Sequence, residues 1–171
     1  KLATLATNHP DLSAVNFAEG RTAAVVVDSQ LIGLFVLQDQ PRADSATAIK
    51  ALQARGVKVI MLTGDNQKTA AAIAQAVGLN GEVRSYTEVN VGTKIADLAG
   101  IADVTPEDKL AMAKRLQGEG CVVGMTGDGV NDAPALKQAD VGIAVDSAVD
   151  LAKRSARMVL LADGLTPIIE I

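Results

Sequence analysis

From Ser45 onward, short apolar runs with β character alternate with segments of helical periodicity, and few chain designs satisfy that pattern. Val57-Lys58-Val59-Ile60-Met61-Leu62 reads as a strand. Ala70, Ile73, Ala74 and Val77 then recur at i, i+3, i+4 and i+7, the stripe of an amphipathic helix that Gly78 stops. Strand-helix alternation implies a parallel sheet with helices on both faces, a Rossmann-like α/β fold. Before this strand, Asp44 or Ser45 caps a helix carrying Ala46, Ile49 and Leu52, which ends at Gly56. After Gly78 come a short strand at Val83 and a weaker helix over Glu88 to Leu98. Thr105-Pro106-Glu107-Asp108 is a helix start, with a hydroxyl cap, proline at the first position and acids in the first turn. The remainder predicts a strand over 121–125, a helix over 132–138, a strand over 141–145, a helix over 148–155, a strand over 157–161 and a final helix.

The first forty residues do not follow this alternation. Arg21 to Val27 and Leu31 to Leu37 are two β-rich runs around Asp28-Ser29-Gln30, which reads as an antiparallel hairpin. The polar break Asp39-Gln40-Pro41-Arg42 follows, so a boundary is expected that leaves 1–38 as a β-hairpin remnant and 39–171 as the α/β domain. Lys1 is not a natural start, which suggests an excised piece.

A content of 49% apolar and 21% charged residues describes a globular protein. Its apolar runs stay far short of the roughly 20 residues that span a membrane. A net charge of −4 with no basic stripe argues against nucleic acid as a partner. The single cysteine, Cys121, is expected to be a buried, inert thiol in a strand, and His9 is assigned no role. Gly118, Gly120 and Gly124 nearly spell a dinucleotide fingerprint, but they run from helix to strand, the wrong direction, and mark a helix stop.

Ligands of open parallel sheets bind beyond the carboxyl ends of the strands. Three polar clusters fall there or at a helix start nearby: Thr63-Gly64-Asp65, Pro106 to Lys109, and Thr126 to Asp132. Together they suit phosphoryl chemistry. Asp128, with Asp132 behind it, supplies the hard oxygen ligands that Mg²⁺ prefers, and the cation would relieve the repulsion of crowded acids. Thr63 offers a hydroxyl, and its turn offers N–H groups, to a phosphoryl oxygen. Lys109 adds a point charge near transferring oxygens, and Asn131 can orient a carboxylate or phosphate. The competing reading is that these are ordinary turn residues, which remains open for Thr63-Gly64-Asp65.

MLTGDN at 61–66, TPEDK at 105–109 and MTGDGVNDAPALKQADVGIAV at 125–145 resemble the phosphorylation domain of P-type cation-transporting ATPases, ion pumps of the haloacid dehalogenase superfamily. The resemblance implies Mg²⁺ at Asp128 with Asp132 supporting it, Thr63 on the phosphoryl group, and Lys109 balancing its charge. It also implies ATP as substrate, with Asn131 near the nucleotide and Gly64 and Asp65 in a nucleotide-contacting turn. Asp39, Pro41 and Arg42 match the family's hinge to a nucleotide-binding domain, whose tail the hairpin would be. The family's phosphorylated aspartate, in Asp-Lys-Thr-Gly-Thr, is absent from this sequence. By the resemblance its strand would be central to the sheet and would come from an upstream part of the pump, as would the membrane and actuator domains. This chain is therefore expected to be inactive alone, and cytoplasmic in the whole pump. Asp103 stands where many relatives carry a nucleotide-touching arginine, which is similar to the proton-pump branch, with the magnesium-transporter branch second. A proton is accordingly the favoured transported ion. Two further readings compete: a free-standing phosphatase with Asp28 as its nucleophile, and a non-catalytic module that binds a partner.

Overall fold

The structure, a computed structural model, describes residues 21–27, 30–37, 40–162 and 164–170. The chain divides into two compact units, Lys1–Gln40 and Pro41–Ile171. In the first, β1 (Arg21–Val27) and β2 (Gln30–Leu37) form an antiparallel hairpin, with Arg21 opposite Leu37 and an irregularity between Val25 and Val26. Val25 and Phe35 are exposed.

The second unit holds two three-stranded parallel sheets. In the first sheet β3 (Met61–Leu62) and β4 (Glu82–Ser85) flank β5 (Leu98–Ala102). In the second, β7 (Val141–Ala144) lies between β6 (Gly124–Gly127) and β8 (Met158–Val159). Among the described residues β3 and β6 each pair on one side only, so each sheet has an open edge there. The helices are α1 (Ser45–Ala54), α2 (Gln67–Ala76), α3 (Pro106–Gly118), α4 (Ala133–Gln138) and α5 (Asp150–Ser155). The α/β fold with parallel sheets and covering helices is as the sequence predicts.

Burial explains the layering. All five residues of β5 are buried. Ala99 and Ala102 pack with Ala70, Ala74 and Val77 of the α2 side. Leu98 and Ile101 pack with Met112 of α3. Helices therefore cover both faces of this sheet. Ile101 is fully buried, and hiding such a side chain contributes about 1.5–3 kcal/mol. The second sheet has its own core, in which Leu136 of α4 and Ala152 of α5 meet Ile143 and Ala144 of β7. Gly142 permits that contact, because a Cβ there would lie 2.1 Å from the Leu136 carbonyl oxygen.

Several elements differ from their sequence expectation. The segment 88–98 is not a helix: 3₁₀ turns at Tyr86–Glu88 and Ile95–Asp97 lead into β5. The run Leu-Ala-Gly-Ile-Ala shows no alternation because both its faces are buried, and its alanines mimic helix. Val91, Gly92 and Thr93 meanwhile disfavour a helix before it. Only Met61 and Leu62 of the run 57–62 pair in a ladder, and the final helix is a 3₁₀ segment, Thr166–Glu170. Cys121 is exposed, preceding β6 rather than lying in it. Asp44 occupies the N-cap of α1 without a capping bond from its side chain, which is engaged elsewhere. No helix among the described residues is long and apolar enough to cross a membrane.

Candidate functional site

The stretch 126–132 follows β6, and its shape is set by Asp132 folding back on the strand end. Asp132 is buried, at 7% exposure. Its Oδ2 accepts the N–H groups of Asp128 (3.3 Å) and Gly129 (3.2 Å), and its Oδ1 accepts from Lys109 Nζ at 2.7 Å. Gly127 makes room for this, since a Cβ there would stand 2.5 Å from the Asp132 Cβ. The Lys109–Asp132 pair is largely shielded, with side chains 18% and 10% exposed. Removing either partner of such a pair leaves an uncompensated charge, at a cost of about 3–5 kcal/mol.

Lys109 owes its position to the start of α3. The Thr105 hydroxyl accepts the Asp108 N–H at 3.2 Å, and Asp108 Oδ2 accepts the Thr105 N–H at 2.8 Å, a capping box. The bond from the Thr105 N–H is the main reason the Asp108 carboxyl titrates below the ordinary range. One turn into the helix, Lys109 reaches across to Asp132.

Thr63 ends β3. Its hydroxyl donates to Asp65 Oδ2 at 3.0 Å and accepts the Asp65 N–H at 3.1 Å, so it is engaged within its own turn. The Thr63 carbonyl accepts the Val104 N–H at 3.1 Å, and the Asp65 carbonyl accepts the Asp103 N–H at 2.9 Å. These bonds tie the 63–65 turn to the residues just before the α3 cap. Asp103 adopts a left-handed backbone (φ 56°), which aspartate tolerates better than most residues.

Asp128 is placed differently. Its backbone is held by its amide's bond to Asp132 and by the Val149 N–H, which donates to its carbonyl at 2.9 Å. Its carboxylate stays open, 62% exposed, with Arg42 Nη2 3.6 Å from Oδ2. The same Arg42 Nη2 donates to Ser147 Oγ at 3.1 Å. Asn131 is exposed beside it, as is Gly64 in the other turn.

The structure thus joins Lys109, Asp132 and the Asp128 backbone in one bonded group, and links Thr63, Gly64 and Asp65 to the base of α3. Asp28 and Asp39 lie outside the described residues. Sequence reasoning missed Ser147, and it saw Arg42 only as part of a hinge, because neither carries a local signal for its partner far along the chain.

The donor set bears on Mg²⁺. Among the described residues no three His, Cys, Asp or Glu side chains converge as a metal cage. Mg²⁺ does not ask for one: it is commonly held by one or two carboxylates, waters and substrate phosphates. The open Asp128 carboxylate fits that use, while both Asp132 oxygens already accept hydrogen bonds and suit a supporting role.

Comparison with known proteins bears on the family. The family model for haloacid dehalogenase-like hydrolases matches residues 4–140. The "Probable copper-exporting P-type ATPase V" of Mycobacterium tuberculosis is 41% identical over 169 residues, 96% of this chain and 20% of that protein. A calcium-transporting ATPase of Listeria monocytogenes is 39% identical over 152 residues, 84% of this chain and 17% of that protein. The solved structure of a zinc-transporting PIB-type ATPase in its E2.Pi state superposes with a TM-score of 0.68 and 35% identity. That match covers 99% of this chain and 24% of the zinc transporter. The chain spans about a fifth of the length of these curated relatives.

The names of these relatives speak of copper, calcium and zinc, and they correct the expectation of a proton-pump or magnesium-transporter branch. The main signal for that branch was Asp103, whose place is explained by its left-handed backbone and its bond to Asp65. Nor do the comparisons favour a free-standing phosphatase or a non-catalytic module. The chain belongs to the haloacid dehalogenase-like hydrolases, and within them its similarity is to the phosphorylation domain of P-type ATPases.

Proposed function

We propose that this chain is the part of an ATP-driven metal-cation pump that supplies the Mg²⁺-binding and phosphoryl-stabilising side of its phosphorylation site. The observation that carries this reading is the contrast at the end of β6: a locked Lys109–Asp132 pair beside an open Asp128 carboxylate. The copper, zinc and calcium named for the relatives favour a metal ion as cargo, with a heavy metal first.

In this reading Asp128 and Asp132 form the metal side, Asp128 as the oxygen ligand and Asp132 as the residue that fixes the turn. Bound Mg²⁺ supplies charge neutralisation for phosphate oxygens. Lys109 holds a positive charge beside the reacting group without needing to move. Thr63 turns its hydroxyl from Asp65 toward a phosphoryl oxygen, and the amides of its turn add donors. Gly64, Asp65 and Asn131 line the approach of the nucleotide. The acceptor aspartate is contributed by a segment that this sequence does not contain, and it inserts between the open edges of β3 and β6.

The test is acyl-phosphate formation from radiolabelled ATP. A longer protein carrying these residues and an upstream Asp-Lys-Thr-Gly-Thr should form a hydroxylamine-sensitive phosphoenzyme that Asp128→Asn abolishes. The 171-residue chain alone should show negligible turnover. Steady ATP hydrolysis by this chain that Asp128→Asn removes would overturn the reading.

A further inference from the structure

Two acids of one turn are committed in different ways. Asp132 is closed in by a 2.7 Å contact to Lys109 and by two amides. Asp128 faces Arg42 at 3.6 Å, longer than a formed N–H···O bond, with side chains 38% and 62% exposed. This pair is Coulombic and solvated, of the kind that contributes little and is easily exchanged. Yet the guanidinium is not loose, because Nη2 is anchored on Ser147 Oγ at 3.1 Å. Ser147 belongs to the loop whose Val149 N–H fixes the Asp128 carbonyl, so one loop holds both the carboxylate's backbone and the arginine facing it. Arg42 itself sits in the segment by which the chain enters the second unit, just after Gln40.

We propose that Arg42 is a positioning residue that stands in for the cation at Asp128: it screens the carboxylate while no divalent ion is bound and is displaced when one arrives. Two positive charges cannot share the open side of one exposed carboxylate without mutual repulsion. The Asp128 backbone is pinned, so the exchange is confined to the side chains. Metal occupancy is then reported to the entry segment 40–44 through release of Arg42 from Asp128 and Ser147.

The inference rests on Asp128 being the cation ligand, and the experiment separates the two. The 171-residue chain is titrated with Mg²⁺ without nucleotide, following binding by calorimetry and the Arg42 side-chain Nε–Hε signal by NMR. Arg42→Gln should bind Mg²⁺ about two- to fivefold more tightly, the scale of an exposed ion pair. Ser147→Ala, which keeps every charge but removes the anchor, should tighten binding by a smaller factor. In the unaltered chain the Arg42 signal should shift on saturation, and in Asp128→Asn it should not respond. Equal or weaker binding by Arg42→Gln, or an unmoved Arg42 signal at saturation, overturns the inference while leaving the metal reading intact. Tightening in Arg42→Gln with Ser147→Ala unchanged also overturns it, reducing Arg42 to bulk charge. Binding that Asp128→Asn leaves unaltered, or no binding in any variant, overturns the metal reading and the inference with it.

Discussion

Asp128 and Asp132 lie four positions apart, and each meets a cation from a distant segment, Arg42 for one and Lys109 for the other. The repulsion expected among the crowded acids of TGDGVND is thus met by the chain's own side chains before any metal is considered. What permits this is the missing side chain of Gly127. Gly127→Ala would push a methyl into the Asp132 Cβ, which belongs to a pinned turn and cannot swing aside. We expect a loss of about 1–3 kcal/mol, typical of overpacking, measured by urea denaturation. Unchanged stability would mean that Asp132 does not rest against the end of β6. The acids, amide and glycines of this turn were legible because they are consecutive and their number exceeds what a plain turn needs. The Arg42–Ser147 bond was not legible, because it joins positions 105 apart and neither residue type announces its partner.

Among the elements, α1 and the C-terminal 3₁₀ segment show how a cap residue can be redirected. Asp44 precedes α1, and its Oδ2 accepts from the Leu165 N–H (2.6 Å), the Thr166 N–H (2.8 Å) and the Thr166 hydroxyl (2.8 Å). Arg55, just past the end of α1, donates to the Ile169 carbonyl and makes a second tie. The Thr166 N–H is the largest cause holding the Asp44 carboxyl below its ordinary value of 3.8; partial burial opposes it, and the Thr166 hydroxyl and Leu165 N–H reinforce it. A carboxyl depressed in the folded state stabilises fully above its unfolded value and loses that contribution as pH falls through the folded one. The tie should therefore hold at neutral pH and weaken progressively once the pH falls below about 4. Asp44→Asn should flatten part of the fall in stability seen in acid urea titrations. An acid limb identical to that of the unaltered chain would show the tie to be without weight. Sequence reasoning could see Asp44 only as a local cap, because a capping signal is read from neighbours and the true partners lie 121 and 122 positions away. β5 escaped for the opposite reason: a strand buried on both faces shows no periodicity to read.

At the scale of the whole molecule, the α/β class followed from strand-helix alternation alone, whereas strand order did not, since order depends on which edges meet after the helices have packed. Among the described residues the observed orders leave β3 and β6 at sheet edges, as they do the outer strands β4 and β8, and the ends of β3 and β6 carry candidate site residues, Thr63 after one and Asp128 after the other. Unpaired edges exchange their amides readily. Hydrogen exchange should therefore be faster over 58–60 and at Val122 and Gly124 than in β5 and β7, since Val57, Cys121 and Val123 have amide partners of their own. In a longer chain that supplies the acceptor strand, the two fast segments should become protected together. Protection of those segments in this chain alone would mean that the edges are already paired. The point where the chain enters the second unit and the segment 165–166, near its far end, touch one another. Such a body could be circularly permuted, or carried as an insert in a longer chain, with both of its connections leaving from one corner. A pull on either connection would then swing the body about a single pivot rather than stretch it.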